Sequence, residues 1–360
     1  MLLARVTLTI GEWMDCQRIE RPAVLWEDHF KTAAALLHSA QPTAWTSKAL
    51  HVLATFAERQ CEELLGTMDD EAAIAVRMQK HSELRACELA IRESHGSEQA
   101  RLRGILRRLE AQVAEDEAEV LDMRSQISGF LRIAVWAFAR CLESSGSFDS
   151  SVYPLVSLLM THASAPEMAE TLAQQTVDRI ASAKFLPLAH QLCARLSTDE
   201  TPFHLVLRRL VYRMAVEYPY HIIGHLFALR NANRTSSAAS SKRRERTETD
   251  DMEEKRCKAA QGILLQLKST DAELRSIVDA IDQMCEVYIE LAVSAVPEKY
   301  RSSKLVNKII GFGSKMRISR LLHDLPQNIP VFTARPTIGV PGDYTCVPFI
   351  SSMSEGYSLA

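Results

Sequence analysis

The sequence predicts an all-α fold, a solenoid of helical hairpins of the tetratricopeptide type with long antiparallel helices. Three observations predict it. Over most of the chain, apolar residues recur at three- and four-residue steps, the period of a helix face. Leu, Ala, Glu and Arg, all good helix formers, dominate the middle of the chain. Aromatic residues make up only 6% of the 360, and Gly and Pro number 13 each, which is low for a strand-rich fold. With 47% apolar and 24% charged residues there is ample material for a core.

The elements follow in order. Residues 1–17 read as a short helix or strand. Pro22 suits the first turn of a helix to about Ser39, with Leu25, Phe30, Ala33, Ala34 and Leu37 at helical spacing. Pro42 separates it from a second helix, Thr43 to about Leu65, carrying Trp45, Leu50, Leu53, Phe56 and Leu64. Gly66 is its candidate C-cap. Asp69 and Asp70 open a helix to about residue 94, because carboxylates favour a helix N-terminus. A charged amphipathic run then extends to about Leu142, with Leu102, Leu106, Leu109, Val113, Val120, Ile127 and Phe130 along one face. So long a helix needs a neighbour along its length. Its second half, SGFLRIAVWAFARCL, is too apolar for a two-helix surface and requires burial in a larger stack. Shorter helices are expected at about 151–161, 166–181, 185–196, 203–217 and 220–232, then at 255–269 and 272–295. The consensus spacing of a tetratricopeptide repeat is not kept, so the period itself argues weakly. The polar stretch 234–253 reads as a mobile loop between helices.

The chemistry visible in the sequence is sparse. A net charge of −3, from 42 basic and 45 acidic residues, gives no general attraction to a polyanion such as DNA. Lys242, Arg243, Arg244 and Arg246 could touch nucleic acid, but the acidic residues directly after them favour a solvated loop. No direct specific nucleic-acid contact is predicted. The eight cysteines stand singly, without a C-x-x-C pair, and read as reduced buried thiols. The apolar start is too short for a membrane span, and no membrane partner is predicted. A P-loop is absent, and the nearest glycine pair with a lysine, Gly311, Gly313 and Lys315, reads as a turn. His221 and His225, four apart on one helix face, could hold a metal or pack as hydrogen-bonded imidazoles at an internal interface; the second reading is favoured. Trp13 and Trp26 fit helix packing better than a docking surface, and Glu290 reads as an ordinary helix-surface charge. No catalytic, cofactor-binding or metal residue is assigned.

One block is distinctive. In 184–234, Lys184, Phe185, Pro187, Leu188, Gln191, Leu192 and Arg195 spell K-F-x-P-L-x-x-Q-L-x-x-R. The helix containing Tyr218–His221 then ends at Ala228–Arg234 as A-L-x-N-A-N-R. This block resembles the C-terminal end of the FAT helical domain of the phosphatidylinositol-3-kinase-related protein kinases, in the ataxia-telangiectasia-mutated and fungal telomere-maintenance branch. ARVTLTIGEWM at 4–14 resembles the lead-in helix of that domain, and the helices from about 70 to 142 resemble its long antiparallel pair. The segment 326–360, with Gly342, Asp343, Tyr344, Leu359 and Ala360, resembles the junction into the kinase amino-terminal lobe.

The resemblance implies a FAT-type domain over 1–296, a junction over 297–325, and an incomplete α+β amino-lobe start over 326–360. It implies a scaffold segment of a nuclear serine/threonine kinase of DNA-damage checkpoint signalling and telomere maintenance. In that parent, ATP and Mg serve phosphorylation of Ser/Thr-Gln sites, and the partners are the intramolecular kinase domain, other proteins and a second copy in a homodimer. The family's catalytic residues match no position of this sequence. The chain is therefore expected to be a domain fragment or truncated gene product, inactive alone and binding no cofactor. A stand-alone helical scaffold or protein-binding module without catalysis is the alternative.

Overall fold

The computed structural model describes residues 2–41, 43–143, 148–163, 177–236 and 248–293, with short segments at 309–311, 329–330, 349–350 and 356–358. The chain divides into two compact units, Met1–Ile180 and Ala181–Ala360.

The first unit is organised by one helix. Helices α1 (Leu2–Cys16), α2 (Pro22–Leu25), α3 (Lys31–His38), α4 (Ala44–Met68) and α5 (Glu71–Glu93) precede it. Helix α6 (Ser97–Glu143) has 47 residues, hence about 70 Å at 1.5 Å per residue. The sequence predicts a long antiparallel pair; the structure gives α6 two partners laid end to end. The Cys141 thiol donates to the Ser47 carbonyl and Phe56 meets Phe130, so α4 runs antiparallel along the C-terminal half. Lys80 pairs with Asp116 at 2.7 Å, and the Cys87 thiol reaches the Leu102 carbonyl, so α5 runs antiparallel along the N-terminal half. The joint between α4 and α5 is Asp69 and Asp70. Asp69 is the C-cap of α4, and the Asp70 carboxylate accepts from the Ala72 N–H to start α5. The start of α4 is fixed by Thr43 and Thr46, whose hydroxyls each serve the other's backbone N–H. Helix α7 (Val152–Thr161) closes the C-terminal end of α6.

Burial along α6 is uneven. Ten of its eleven buried residues lie from Ile127 onward, facing Leu53, Ala54, Phe56 and Ala57 of α4 and Leu155 of α7. The N-terminal half buries only Val113 and keeps Ile105 exposed.

Two details depart from the sequence reading. The helix expected from Pro22 to Ser39 is interrupted by a π-turn at Trp26–Phe30. The extra residue per turn lets Leu25, Trp26 and Phe30 all face inward. Phe30 stacks on Phe56 with centroids 4.0 Å apart, and Trp26 meets the edge of Phe130 at 5.3 Å. Gly11 of α1 makes room for this turn, since a Cβ there would lie 3.0 Å from the His29 Cβ and 3.2 Å from the Phe30 ring. Second, Gly66 is not a cap: α4 continues through it to Met68.

The second unit begins with a 3₁₀ segment, Ser182–Leu188, followed by α8 (Ala189–Ala194), where a single helix over 185–196 is expected. Pro187 lacks the N–H that a regular α-helix would use there. Helices α9 (Pro202–Glu217), α10 (Pro219–Ser236), α11 (Glu248–Thr270) and α12 (Ala272–Val293) complete the helical part. Thr201 caps α9 through the His204 N–H. Helix α11 packs on α9, α10 and α12. It begins inside the stretch expected to be loop over 234–253. Asp250 and Asp251 stand in its first turn, where they complement the helix dipole, and Glu254 pairs with Lys258 one turn on. Residues 237–247, with the basic run, lie outside the described residues, as does the helix expected over 166–181 as far as residue 176.

Four short strands pair as two antiparallel ladders. Strand β1 (Ile309–Gly311) pairs with β4 (Gly356–Ser358), and β2 (Ile329–Pro330) with β3 (Phe349–Ile350). Ile310 and Gly311 of the glycine-lysine cluster thus lie in a strand, whereas the sequence reading makes them a turn; Gly313 and Lys315 lie outside the described residues. Among the described residues, no helix is long and apolar enough to cross a membrane.

Two substitutions test this packing by urea denaturation. Phe138, 1% exposed in α6, leaves a cavity when truncated, so Phe138→Ala should cost about 3–5 kcal/mol. A Cβ at the exposed Gly66, in the last turn of α4, meets nothing within 4 Å, so Gly66→Ala should stabilise by about 0.4–1 kcal/mol by restricting the unfolded chain. A destabilising Gly66→Ala would mean that α4 does end at that glycine.

Candidate functional site

Polar side chains cluster among the described helices of each unit. In the first, His51 of α4 places its Nδ1 3.0 Å from the Ser151 hydroxyl, and the Cys141 thiol lies 3.9 Å from the same oxygen. A serine beside a histidine and a cysteine has the parts of a nucleophilic site. Ser151 and Cys141 are, however, 0% and 2% exposed, and Phe138 and Phe148 stand against the imidazole. A carbonyl substrate could not reach that hydroxyl. The cluster joins α4, α6 and the 3₁₀ turn Asp149–Ser151, and burial lowers the His51 pKa. Burial also pushes the Cys61 thiol up to about 11 and the Cys193 thiol up to about 12, which removes the thiolate needed for reaction.

In the second unit the cluster lies across α10, α11 and α12. Arg230 of α10 donates to Asp282 at 2.5 Å, lies 3.6 Å from Glu286, and stacks over the Phe227 ring at 4.6 Å. Lys268 of α11 reaches Asp279 at 2.7 Å and Asp282 at 3.4 Å. Burial raises the Asp282 pKa, but the hydrogen bonds and charges of Arg230 and Lys268 outweigh it and leave the carboxyl below its usual range. A further tie joins the Ser182 hydroxyl to the Glu217 carboxylate at the end of α9.

The residues of the distinctive block therefore divide by polarity. Phe185, Leu188 and Leu192 are buried, while Gln191 and Arg195 are exposed. Arg230 sits within A-L-x-N-A-N-R, at the one position that the pattern leaves open. Sequence reasoning missed its role because its partners, Asp282 and Glu286, are some fifty residues away. Of the two histidines, His221 is buried with its ring 6.3 Å from that of Tyr218, and His225 stands 5.7 Å from His190. Trp26 packs between helices as expected, but Trp13 is 59% exposed and does not. Glu290 lies in α12, near its end. Among the described residues no group of three or more His, Cys, Asp or Glu side chains is placed to hold a metal ion.

Two open grooves mark the first unit. One, of about 370 Å³, lies along the α5–α6 hairpin between Arg77, His81, Asp116 and Arg124. The other, of about 560 Å³ and mostly apolar, is lined by Pro22, Trp26, Leu64, Gly129, Phe130 and Ile133.

No known family profile matches the chain. It is similar in sequence to the serine/threonine-protein kinase ATM of Arabidopsis thaliana, 25% identical over 97% of this chain and 9% of that protein. It is likewise 22% identical to the serine/threonine-protein kinase tel1 of Emericella nidulans, over 99% of this chain and 12% of that protein. The chain thus spans about a tenth of the length of these relatives. Its fold is similar to a solved structure of the FAT and kinase domain of CtTel1, with a TM-score of 0.71, 20% identity, and coverage of 98% of this chain and 22% of that one. A complete CtTel1 dimer with C2 symmetry matches with the same TM-score and identity, over 98% of this chain and 12% of that one.

Two measurements test the polar clusters. Arg230→Ala leaves Asp282 half-buried without its main partner and should cost about 2–3 kcal/mol in urea denaturation, somewhat less than a fully buried pair. A change below about 0.5 kcal/mol would mean that the pair behaves as a surface contact. For His51 the sign is set by a native pKa below the ordinary 6.5. The unfolded chain takes up the proton first, so stability falls as pH drops from about 6.5 toward the lowered native value. Melting temperature should fall over that window, and less steeply in His51→Gln; identical slopes would remove His51 as a cause.

Proposed function

We propose that this chain works as a non-catalytic helical scaffold that binds protein through its helical surfaces. The observation that supports this reading is the use of its distinctive residues. Phe185, Leu188, Leu192, Leu207, Val211 and Phe227 fill the core, and Arg230 ties α10 to α12. Among the described residues, the cluster that holds nucleophilic groups, His51, Cys141 and Ser151, is closed to substrate. The fixed parts are thus spent on holding helices in register, which is what a rigid binding surface requires.

A second reading, supported by the likeness in sequence and fold to ATM and Tel1 kinases, sets the scaffold inside a larger enzyme. In it, residues 1–296 form a FAT-type domain, 297–325 a junction, and 326–360 the start of a kinase amino lobe. The intramolecular kinase domain and a second copy of the parent are then the partners, the nucleus is the location, and Ser/Thr-Gln sites are the substrates. ATP and Mg belong to that parent. Among the described residues no group of three or more His, Cys, Asp or Glu side chains is placed to hold the magnesium, and no step of phosphoryl transfer is assigned to this chain. Such transfer requires several charged groups positioned together around the phosphate and its metal.

The purified chain should therefore transfer no phosphate from Mg-ATP. It should leave a Ser-Gln peptide unlabelled by radioactive γ-phosphate. Labelling that survives removal of contaminating kinases would overturn the scaffold reading. Transcript sequencing that continues in frame past Ala360 into a kinase core would decide for the second reading, and a stop codon at that point for a stand-alone scaffold.

A further inference from the structure

The second unit carries a groove that neither the ion network nor the distinctive block explains. It lies between α9 and α11, has a volume of about 540 Å³, and is lined by Thr198, Arg208, Arg209, Tyr212, Lys258 and Gly262, among others. Among its described lining residues are three cations and no carboxylate. The whole chain carries a net charge of −3, so this concentration of positive charge is local.

The groove has a fixed donor. Arg208 is half-buried, and its Nη1 donates to the carbonyls of Ser197 at 2.7 Å and Asp199 at 2.9 Å. These two bonds hold the guanidinium plane, which lowers the entropy lost when its remaining N–H groups meet a ligand. Arg209 and Lys258 are exposed beside it. Lys258 also pairs with Glu254 at 2.7 Å, an exposed contact that a stronger anion can replace. The Tyr212 hydroxyl is held by Thr270 at 2.7 Å. The nearest acid on the α9 side, Asp199, is taken up by Lys255 at 2.6 Å and by the Ser197 hydroxyl at 2.8 Å. At Gly262 a Cβ would meet nothing within 4 Å, so the helix surface there is open to a ligand. The floor is apolar, from buried Ala259 and Ile263.

We propose that the α9–α11 groove binds a phosphate monoester dianion, with Arg208 as the oriented fork and Arg209 and Lys258 as flanking charges. A planar guanidinium meets two phosphate oxygens at once, and two further cations match the second negative charge. The groove is much larger than a phosphate, so the phosphate arrives on a carrier, either a phosphoserine peptide or a small phosphorylated molecule. This binding is independent of whether the chain belongs to a larger kinase.

The test uses the full chain and a fluorescent seven-residue phosphoserine peptide, with the same peptide unphosphorylated and with pyrophosphate as competitor. The phosphopeptide should bind at least about tenfold tighter than its unphosphorylated form, as expected for charge-assisted bonds, and should weaken as salt rises. Arg209→Gln and Lys258→Gln should each weaken it several-fold. Arg208 also ties two backbone carbonyls, so its loss risks the fold; the deciding variant is Gly262→Asp. It places a carboxylate in open space and should abolish binding while the melting temperature holds, whereas Gly262→Asn should retain it. Tighter binding of the phosphopeptide than of pyrophosphate identifies a peptide carrier, and the reverse identifies a small molecule; either supports the site. Equal affinity for both peptides, or pyrophosphate binding unchanged in Gly262→Asp, overturns it.

Discussion

Burial of the C-terminal half of α6 is the constraint on which the first unit depends. From Ile127 to Leu142 that helix presents apolar side chains on nearly every side, so it is stable only when enclosed. Helix α4 covers one side, α7 another, and the π-turn brings Trp26 and Phe30 onto the edge between α4 and α6. Each placement follows from the need to remove those residues from water, at about 25 cal/mol per Å² of apolar surface. The N-terminal half has no such need. It is held by α5 through a thin seam and ion pairs such as Lys80–Asp116, and it keeps Ile105 in solvent.

The second unit is held differently. Its helices also bury apolar faces, but charged groups fix their register. Arg230, Lys268, Asp279 and Asp282 link α10, α11 and α12, and Ser182 links the 3₁₀ segment to α9. Charges are sensitive to geometry in a way that apolar contacts are not: a shifted helix leaves a half-buried carboxylate unpaired. Rigid helices with open grooves between them suit a surface that holds other molecules.

Much of the helical order was legible because burial has a period. The apolar residues of α4 and α6 repeat at helical steps, and the structure buries Leu50, Leu53, Phe56, Ile127 and Phe130 as that repeat requires. Asp70 was legible as a helix start because a carboxylate beside free N–H groups has one favourable use. What failed were features decided by tertiary contact. Gly66 has the identity of a cap but stays helical, and Asp69 takes the C-cap position instead. The π-turn at Trp26 has no local signal; it exists because Phe30 must reach Phe56, and Gly11 permits the approach. The start of α11 was misread as loop because its first turns are polar, although polar acidic turns are what a helix N-terminus favours. The candidate sites were less legible still. Arg208 and Lys258 are fifty residues apart, and only the packing of α9 on α11 makes them neighbours.

The central claim is that one continuous helix, α6, is a core element at one end and a partly solvated hairpin arm at the other. Native-state hydrogen exchange of the whole chain tests it most directly, because protection reports the local cost of opening. Amides of 130–142 should exchange only through global unfolding, while those of 101–112 should exchange orders of magnitude faster. Equal protection along all of α6 would contradict the account, and would mean that the arm is enclosed as tightly as the core.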